Sequence, residues 1–242
     1  MKVATPAARG ADPRSVPPSR KLTDPVGVPV KVSGHLVQYY LNLVRRLSGD
    51  ATPSIEITAS AEEIASARKL LQTEGIGSSD RFLVLNPGAA YGAAKRWSSD
   101  RFAETADRLA MELGLRVAII GSTSETPIAQ EIAARMKSRA ALLTGKTSLE
   151  TLIGVLAQSS LMITNDSGPM HIAAALGAPT IAVFGSTDDR VTGPLGPRAK
   201  VVKHPVDCSP CLLRQCPIDH RCMRLITVDD VCRAAGELML HA

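Results

Sequence analysis

The residues of this chain best suited to chemistry sit where short apolar runs break off into small and polar ones. Leu161 to Ile163 is followed by Thr164-Asn165-Asp166-Ser167-Gly168-Pro169-Met170-His171, and an Ala-rich run then extends to Leu176. The apolar run reads as a buried strand, Gly168 marks a tight turn, and Met170 to Leu176 reads as a helix. A helix beginning there turns unpaired backbone N–H groups and the positive end of its dipole toward the strand end, which suits a phosphate. Ser167, Gly168 and Met170 can donate such groups, whereas Pro169 has none. An equally simple role for Asp166 or Ser167 is to cap the helix. His171, one residue into the helix, suits either a phosphate ligand or a packed histidine. Lys95 closes the Gly- and Ala-rich loop that begins at Asn86, so its ammonium can reach anionic oxygen at the same edge or stay solvated. Glu125 follows Gly121-Ser122-Thr123-Ser124 and can accept from hydroxyl or N–H groups of a ligand, or steady the first turn of a helix. Gly145-Lys146-Thr147 has the ending of a P-loop but lacks the earlier glycine at the required spacing, so it reads as a loop lining the pocket.

The cysteines form another constellation. Cys208, Cys211, Cys216, Cys222 and Cys232 all fall near the C-terminus. Cys208-x2-Cys211 followed by Cys216 and Cys222 has the outline of a four-thiolate site, but the second pair is spaced more widely than in a zinc ribbon. The expectation is reduced thiols and no metal, with these four as the candidates should one be held.

The elements that must position these residues alternate from Arg81 onward. Phe82 to Leu85, Arg116 to Ile120, Ala141 to Leu143, Leu161 to Ile163, Thr180 to Phe184 and Lys200 to Lys203 read as strands. Ser99 to Leu113, Glu125 to Met136, Ser148 to Gln158 and Val228 to Leu240 read as helices between or after them. Strands separated by helices predict an α/β fold with a Rossmann-like, doubly wound parallel sheet. Ligands in such sheets bind at the carboxyl edge, where the polar residues above fall. Upstream, 33–80 reads as linker helices. Leu36, Tyr39, Tyr40, Leu43, Val44 and Leu47 recur at helical spacing, and Ser60 with Glu63 forms a capping-box pattern ahead of Ala61 to Glu74. Residues 1–32 are proline-rich without periodicity and read as a disordered leader, which leaves 81–242 as the Rossmann-like domain.

Composition excludes some classes. Hydrophobic residues are 45% and charged residues 21%, as in a globular chain that buries a core. No apolar run approaches the ~20 residues of a transmembrane helix, and no secretory signal is expected. Aromatics are 3%, too few for base-stacking platforms, so no nucleic acid is expected as partner. The net charge of +5 favours anionic substrates or an anionic membrane surface.

Asn165-Asp166-Ser167-Gly168-Pro169-Met170-His171 resembles the donor-site motif of the ADP-heptose:lipopolysaccharide heptosyltransferases, glycosyltransferase family 9. Phe184-Gly185-Ser186-Thr187-Asp188 and Asn86-Pro87-Gly88-Ala89-Ala90-Tyr91-Gly92-Ala93-Ala94-Lys95-Arg96-Trp97 are similar to further family motifs, in the same order. The last of these points to the heptosyltransferase II branch. The cysteine pattern belongs to the match without indicating a role. The resemblance runs from about Leu36 to the C-terminus and is strongest from Asn86 to Thr192. It implies one half of a GT-B glycosyltransferase, the half that binds the nucleotide sugar.

By that resemblance Lys95 contacts the phosphate and sugar side of the donor, Glu125 the nucleoside, and Asp166 the sugar hydroxyls. The N–H groups of Ser167, Gly168 and Met170 hold the pyrophosphate, with His171 beside them. Arg96 and Trp97 shape the loop, and Trp97 should be buried. The implied reaction moves heptose from ADP-heptose to a sugar of the lipid-linked lipopolysaccharide core, without a cofactor, in the cytoplasm at the inner face of the inner membrane. The family's catalytic base lies in an N-terminal acceptor domain that has no counterpart in this sequence, so no catalytic residue is assigned. The reading is a truncated heptosyltransferase, or one served by a separate N-terminal domain. Its alternative is a catalytically silent nucleotide-sugar-binding module.

Overall fold

A computed structural model of the chain describes residues 34–48, backbone only from 43, and 55–240. The leader expected at 1–32 lies outside the described residues, as do the side chains of Leu43, Val44 and Leu47. From Gly34 onward the chain is one compact unit, so the segment read as linker helices is continuous with the sheet domain.

The elements in order are α1 (Leu36–Ser48), α2 (Ala61–Thr73), β1 (Phe82–Asn86), α3 (Ser99–Leu113), β2 (Arg116–Ile119), α4 (Thr126–Arg135), β3 (Ala140–Leu142) and α5 (Leu149–Gln158). There follow β4 (Leu161–Asn165), α6 (Gly168–Ala175), β5 (Thr180–Phe184), α7 (Asp189–Thr192), β6 (Ala199–Lys203), α8 (Arg221–Arg224) and α9 (Val228–Leu240). The six strands form one parallel sheet in the order β3-β2-β1-β4-β5-β6. This is the doubly wound Rossmann order, and each expected strand is present. Short α7 and α8, of four residues each, were not legible because one turn carries no measurable period.

Burial on both faces explains the unbroken apolar runs of the central strands. Leu83, Leu85, Ile119 and Ile163 face α3, α4 and α9, whose Phe102, Ile132 and Val231 pack on them. Val84, Ile120 and Met162 face the other way, against Ala67 and Leu71 of α2 and Val155 and Leu156 of α5. The α2 and α5 helices approach so closely that a Cβ on Gly154 would lie 2.1 Å from the Glu63 carbonyl oxygen. Ser60 caps α2 as expected: its hydroxyl accepts from Glu63 N–H, and the Glu63 carboxylate accepts from Ser60 N–H. Leu36, Val37 and Tyr39 of α1 are half-buried, while Tyr40 stays 58% exposed.

Candidate functional site

The chain leaves β1 for β2 and β3 on one side, then returns beside β1 as β4 and continues to β5 and β6 on the other. The carboxyl ends of β1 and β4 therefore flank the switch point of the sheet, the crevice where open α/β sheets bind ligands. Two buried asparagines close these strands. Asn86 donates from Nδ2 to Thr164 Oγ1 (2.8 Å) and Ser167 Oγ (2.6 Å). Asn165 donates from Nδ2 to the Pro87 carbonyl (2.7 Å) and accepts at Oδ1 from Trp97 N–H (3.0 Å). Together they fasten the loop after β1 to the start of α6. Trp97 completes the anchor. It is 1% exposed, donates from Nε1 to the Ile226 carbonyl and packs edge-on against Phe102.

The loop is thereby held where Lys95 meets Asp166. Lys95 Nζ lies 2.6 Å from Asp166 Oδ2, and the Thr187 hydroxyl donates to the same oxygen at 2.7 Å. Residues following β1, β4 and β5 thus converge on one carboxylate. Tyr91 lies beneath the lysine, with Nζ 5.0 Å from its ring centroid and the Arg214 guanidinium 5.2 Å from it. The Tyr91 hydroxyl donates to the Leu212 carbonyl, Ala94 N–H donates to the Arg214 carbonyl, and the His220 ring bonds the Ala94 carbonyl. The segment from Leu212 to His220 is therefore a clasp on the lysine loop.

Next to this pair opens a cavity of about 540 Å³. Its walls include Asn86, Gly88 and Arg96 from the β1 side, Ser122 and Glu125 after β2, Thr147 before α5, and Ser167 and Gly168 at α6. Glu125 accepts at Oε2 from both the backbone N–H and the hydroxyl of Ser122 (2.8 and 2.9 Å), so it steadies its own turn while facing the cavity. Gly88 lets that carboxylate come close, since a Cβ there would sit 1.9 Å from Oε1. The case of Gly168 is opposite. A Cβ there would meet nothing within 4 Å, so protein packing does not require the glycine. Ser167 occupies the N-cap position but its hydroxyl makes no capping bond, and Asp166 points to Lys95 and Thr187 instead. Capping therefore accounts for neither side chain. The first N–H groups of α6 lack carbonyl partners within the helix. That of Met170 is turned back to the Ser167 carbonyl at 3.2 Å, and its side chain is buried against Ala182 and Phe184.

His171 is placed elsewhere. It lines a mostly apolar cavity of about 310 Å³ with His35, Leu36, Tyr40, Val191 and Leu195. The residue as a whole is exposed. Crowding by its neighbours still pushes its pKa down, against the pull of the Asp166 charge. A larger concavity of about 860 Å³ between α3 and α4 is remote from this edge, and its Asp107 carboxylate is taken by Lys137 and Ser138.

The cysteines are free thiols. Burial and the nearby Cys208, Cys211 and Cys216 raise the Cys222 pKa. Among the described residues no three or more His, Cys, Asp or Glu side chains are grouped to hold a metal ion. Asn86, Thr187 and the inward turn of Arg96 were not singled out from sequence. Asn86 had a usable signal, a polar residue ending an apolar strand. The orientation of Arg96 had none.

A parallel sheet of this strand order, with a glycine-lined cavity and a helix N-terminus at its switch point, has the architecture of a nucleotide-binding Rossmann-like domain. The model of glycosyltransferase family 9 (heptosyltransferase) matches residues 2–221, and the chain belongs to that family. It is 35% identical over 167 residues to a Campylobacter jejuni lipooligosaccharide heptosyltransferase 2, covering 67% of this chain and 52% of the relative. Among solved structures, the Escherichia coli ADP-heptose LPS heptosyltransferase II superposes with a TM-score of 0.71 at 26% identity, over 86% of this chain and 62% of that one. A family 9 glycosyltransferase from Veillonella parvula gives 0.75 at 25%, over 87% and 61%. The chain spans about half the length of the curated relatives it matches. Among the described residues no helix is long and apolar enough to cross a membrane.

Proposed function

We propose that this chain binds the nucleotide-sugar donor of a lipopolysaccharide heptosyltransferase, ADP-heptose, and presents its sugar to a lipid-linked core oligosaccharide at the cytoplasmic face of the inner membrane. The observation that carries the reading is the convergence of Lys95, Asp166 and Thr187 beside a cavity walled by Ser167, Gly168 and Glu125, in a chain of family 9. The diphosphate meets the N-terminus of α6, Glu125 accepts from the nucleoside, and Asp166 with Lys95 faces the sugar. Departure of ADP needs positive stabilisation of its terminal phosphate, which Lys95 and the helix dipole supply without a metal. His171 is not assigned to the diphosphate in this reading, because its cavity is not the one that Ser167 and Gly168 line.

Calorimetric titration of the chain with ADP and ADP-heptose tests the proposal, with UDP as the comparison. Saturable binding of both adenine ligands, and weaker binding of UDP, is the expected result. No heat from either adenine ligand would remove the reading. Addition of a lipid-linked core acceptor then tests transfer. Binding without turnover is what a donor-binding module gives, whether silent or dependent on a separate acceptor domain. Turnover by this chain alone would require a general base that none of the assignments above supplies.

A further inference from the structure

We propose that Arg96 is a binding residue for the diphosphate of the donor nucleotide, a second cation beside Lys95 and the one that faces the cavity directly. The inference rests on the donor-binding reading above and adds to it the residue that distinguishes a nucleoside diphosphate from a bare nucleoside.

The argument begins with what Arg96 lacks. Its side chain is half-buried and lines the cavity shared by Ser122, Glu125, Ser167 and Gly168. Its Nε is shut off from solvent, and its terminal nitrogens have no partner among the described residues, so these are the donors open to a ligand in the cavity. Among the described residues no carboxylate pairs with it, although Glu125 lines the same cavity and is itself occupied with Ser122. A half-buried guanidinium without an acceptor is costly, and an anion in the cavity can supply one to its terminal N–H groups. A cation and a carboxylate that share a cavity without meeting are suited to a ligand carrying an anion at one end and hydroxyls at the other.

Lys95 shares its ammonium with Asp166 Oδ2 at 2.6 Å, so its charge toward the diphosphate is partly offset and a second cation has a place. Arg96 is held from behind. Its N–H donates to the Ala93 carbonyl, and the next residue, Trp97, is fixed by Asn165 and the Ile226 carbonyl. The guanidinium is thus presented by a rigid backbone, which keeps the ordering cost of binding small. In the same cavity, Gly168 leaves open space at the first turn of α6, where N–H groups and the dipole also favour an anion. A planar fork with several N–H donors matches two phosphate groups better than a lysine would.

The experiment titrates the full chain and its Arg96→Met and Arg96→Lys variants with ADP, inorganic pyrophosphate and adenosine, with circular dichroism to verify folding. Arg96→Met is expected to weaken ADP and pyrophosphate by roughly 10- to 100-fold, the range for losing a hydrogen bond to a charged group, and to leave adenosine unchanged. Arg96→Lys, which keeps the charge without the fork, should fall between. ADP affinity within about twofold of the parent in Arg96→Met would overturn the assignment. So would equal losses for ADP and adenosine, the mark of a residue that only shapes the pocket. If Arg96→Met does not fold, Arg96→Lys decides on the same criteria. A parent chain that binds none of the ligands would instead reject the donor-binding reading itself.

Discussion

At the scale of single residues, the Lys95–Asp166 pair is the most consequential contact. Both side chains are largely buried, at 14% and 5% exposure. Removing one partner of such a pair leaves the other desolvated and uncompensated. Lys95→Ala is expected to lower stability by roughly 3 kcal/mol in urea unfolding and to weaken ADP binding. Asp166→Asn added to Lys95→Ala should recover much of that stability, since no buried charge then remains. A double variant no more stable than Lys95→Ala would show that the two residues are not coupled. The thiols give a separate expectation. Burial raises the Cys232 pKa to about 11 and that of Cys222 above its ordinary value, while Cys208 is exposed. Iodoacetamide at neutral to mildly alkaline pH should label Cys208 first and Cys232 last, as mass mapping over time will show. The unfolded chain ionises its thiols from about pH 9, whereas the folded chain holds the Cys232 proton to about 11. This contribution to stability is therefore present below pH 9 and is lost as pH rises through that interval.

At the scale of elements, glycines report two different constraints. Gly154 of α5 faces the Glu63 carbonyl, and even a methyl group there would force backbone to move. Gly154→Ala should cost roughly 1–3 kcal/mol, the range for overpacking, measured by chemical denaturation. Gly168 has room for a side chain, so Gly168→Val should fold with near-parent stability and lose ADP affinity, which calorimetry would show as a separation of the two readouts. The clasp from Leu212 to His220 belongs to this scale too. Tyr91 bonds it through the Leu212 carbonyl and sits between Lys95 and Arg214. Tyr91→Ala should raise amide exchange in both the clasp and the lysine loop while leaving β1 and β4 protected. Unchanged exchange in the clasp would mean that its other bonds suffice.

At the scale of the whole molecule, Trp97 is a built-in probe. It is the sole tryptophan and lies in the core shared by α3, α9 and the sheet. Its fluorescence should therefore follow global unfolding rather than loop motion. A ligand that binds only the folded chain stabilises it by mass action, about 2.7 kcal/mol at a hundredfold excess over Kd. ADP should shift the Trp97 transition upward in a concentration-dependent way, and UDP less so. A transition insensitive to ADP at saturating concentration would contradict the proposed donor site.

What the sequence by itself determined is what local pattern encodes. Apolar runs such as Thr180 to Phe184 and the capping box at Ser60 named their own elements, because a strand buried on both faces and a helix start each need particular residues in a row. The family motifs marked the carboxyl edge of the sheet for the same reason, since their residues are contiguous. The tertiary structure decided what depends on residues far apart in the chain meeting. Asp166 lies 71 positions from Lys95 and 21 from Thr187, and no local period records that they share one oxygen. Nor could sequence separate Arg96, which turns into the cavity, from Lys95, which turns to Asp166. Helix phase along α6 likewise places His171 on a cavity beside α1, apart from the one that Ser167 and Gly168 line. Orientation around a loop or helix is fixed by what packs behind it, and here that is Trp97, Asn86 and Asn165 binding one strand end to another.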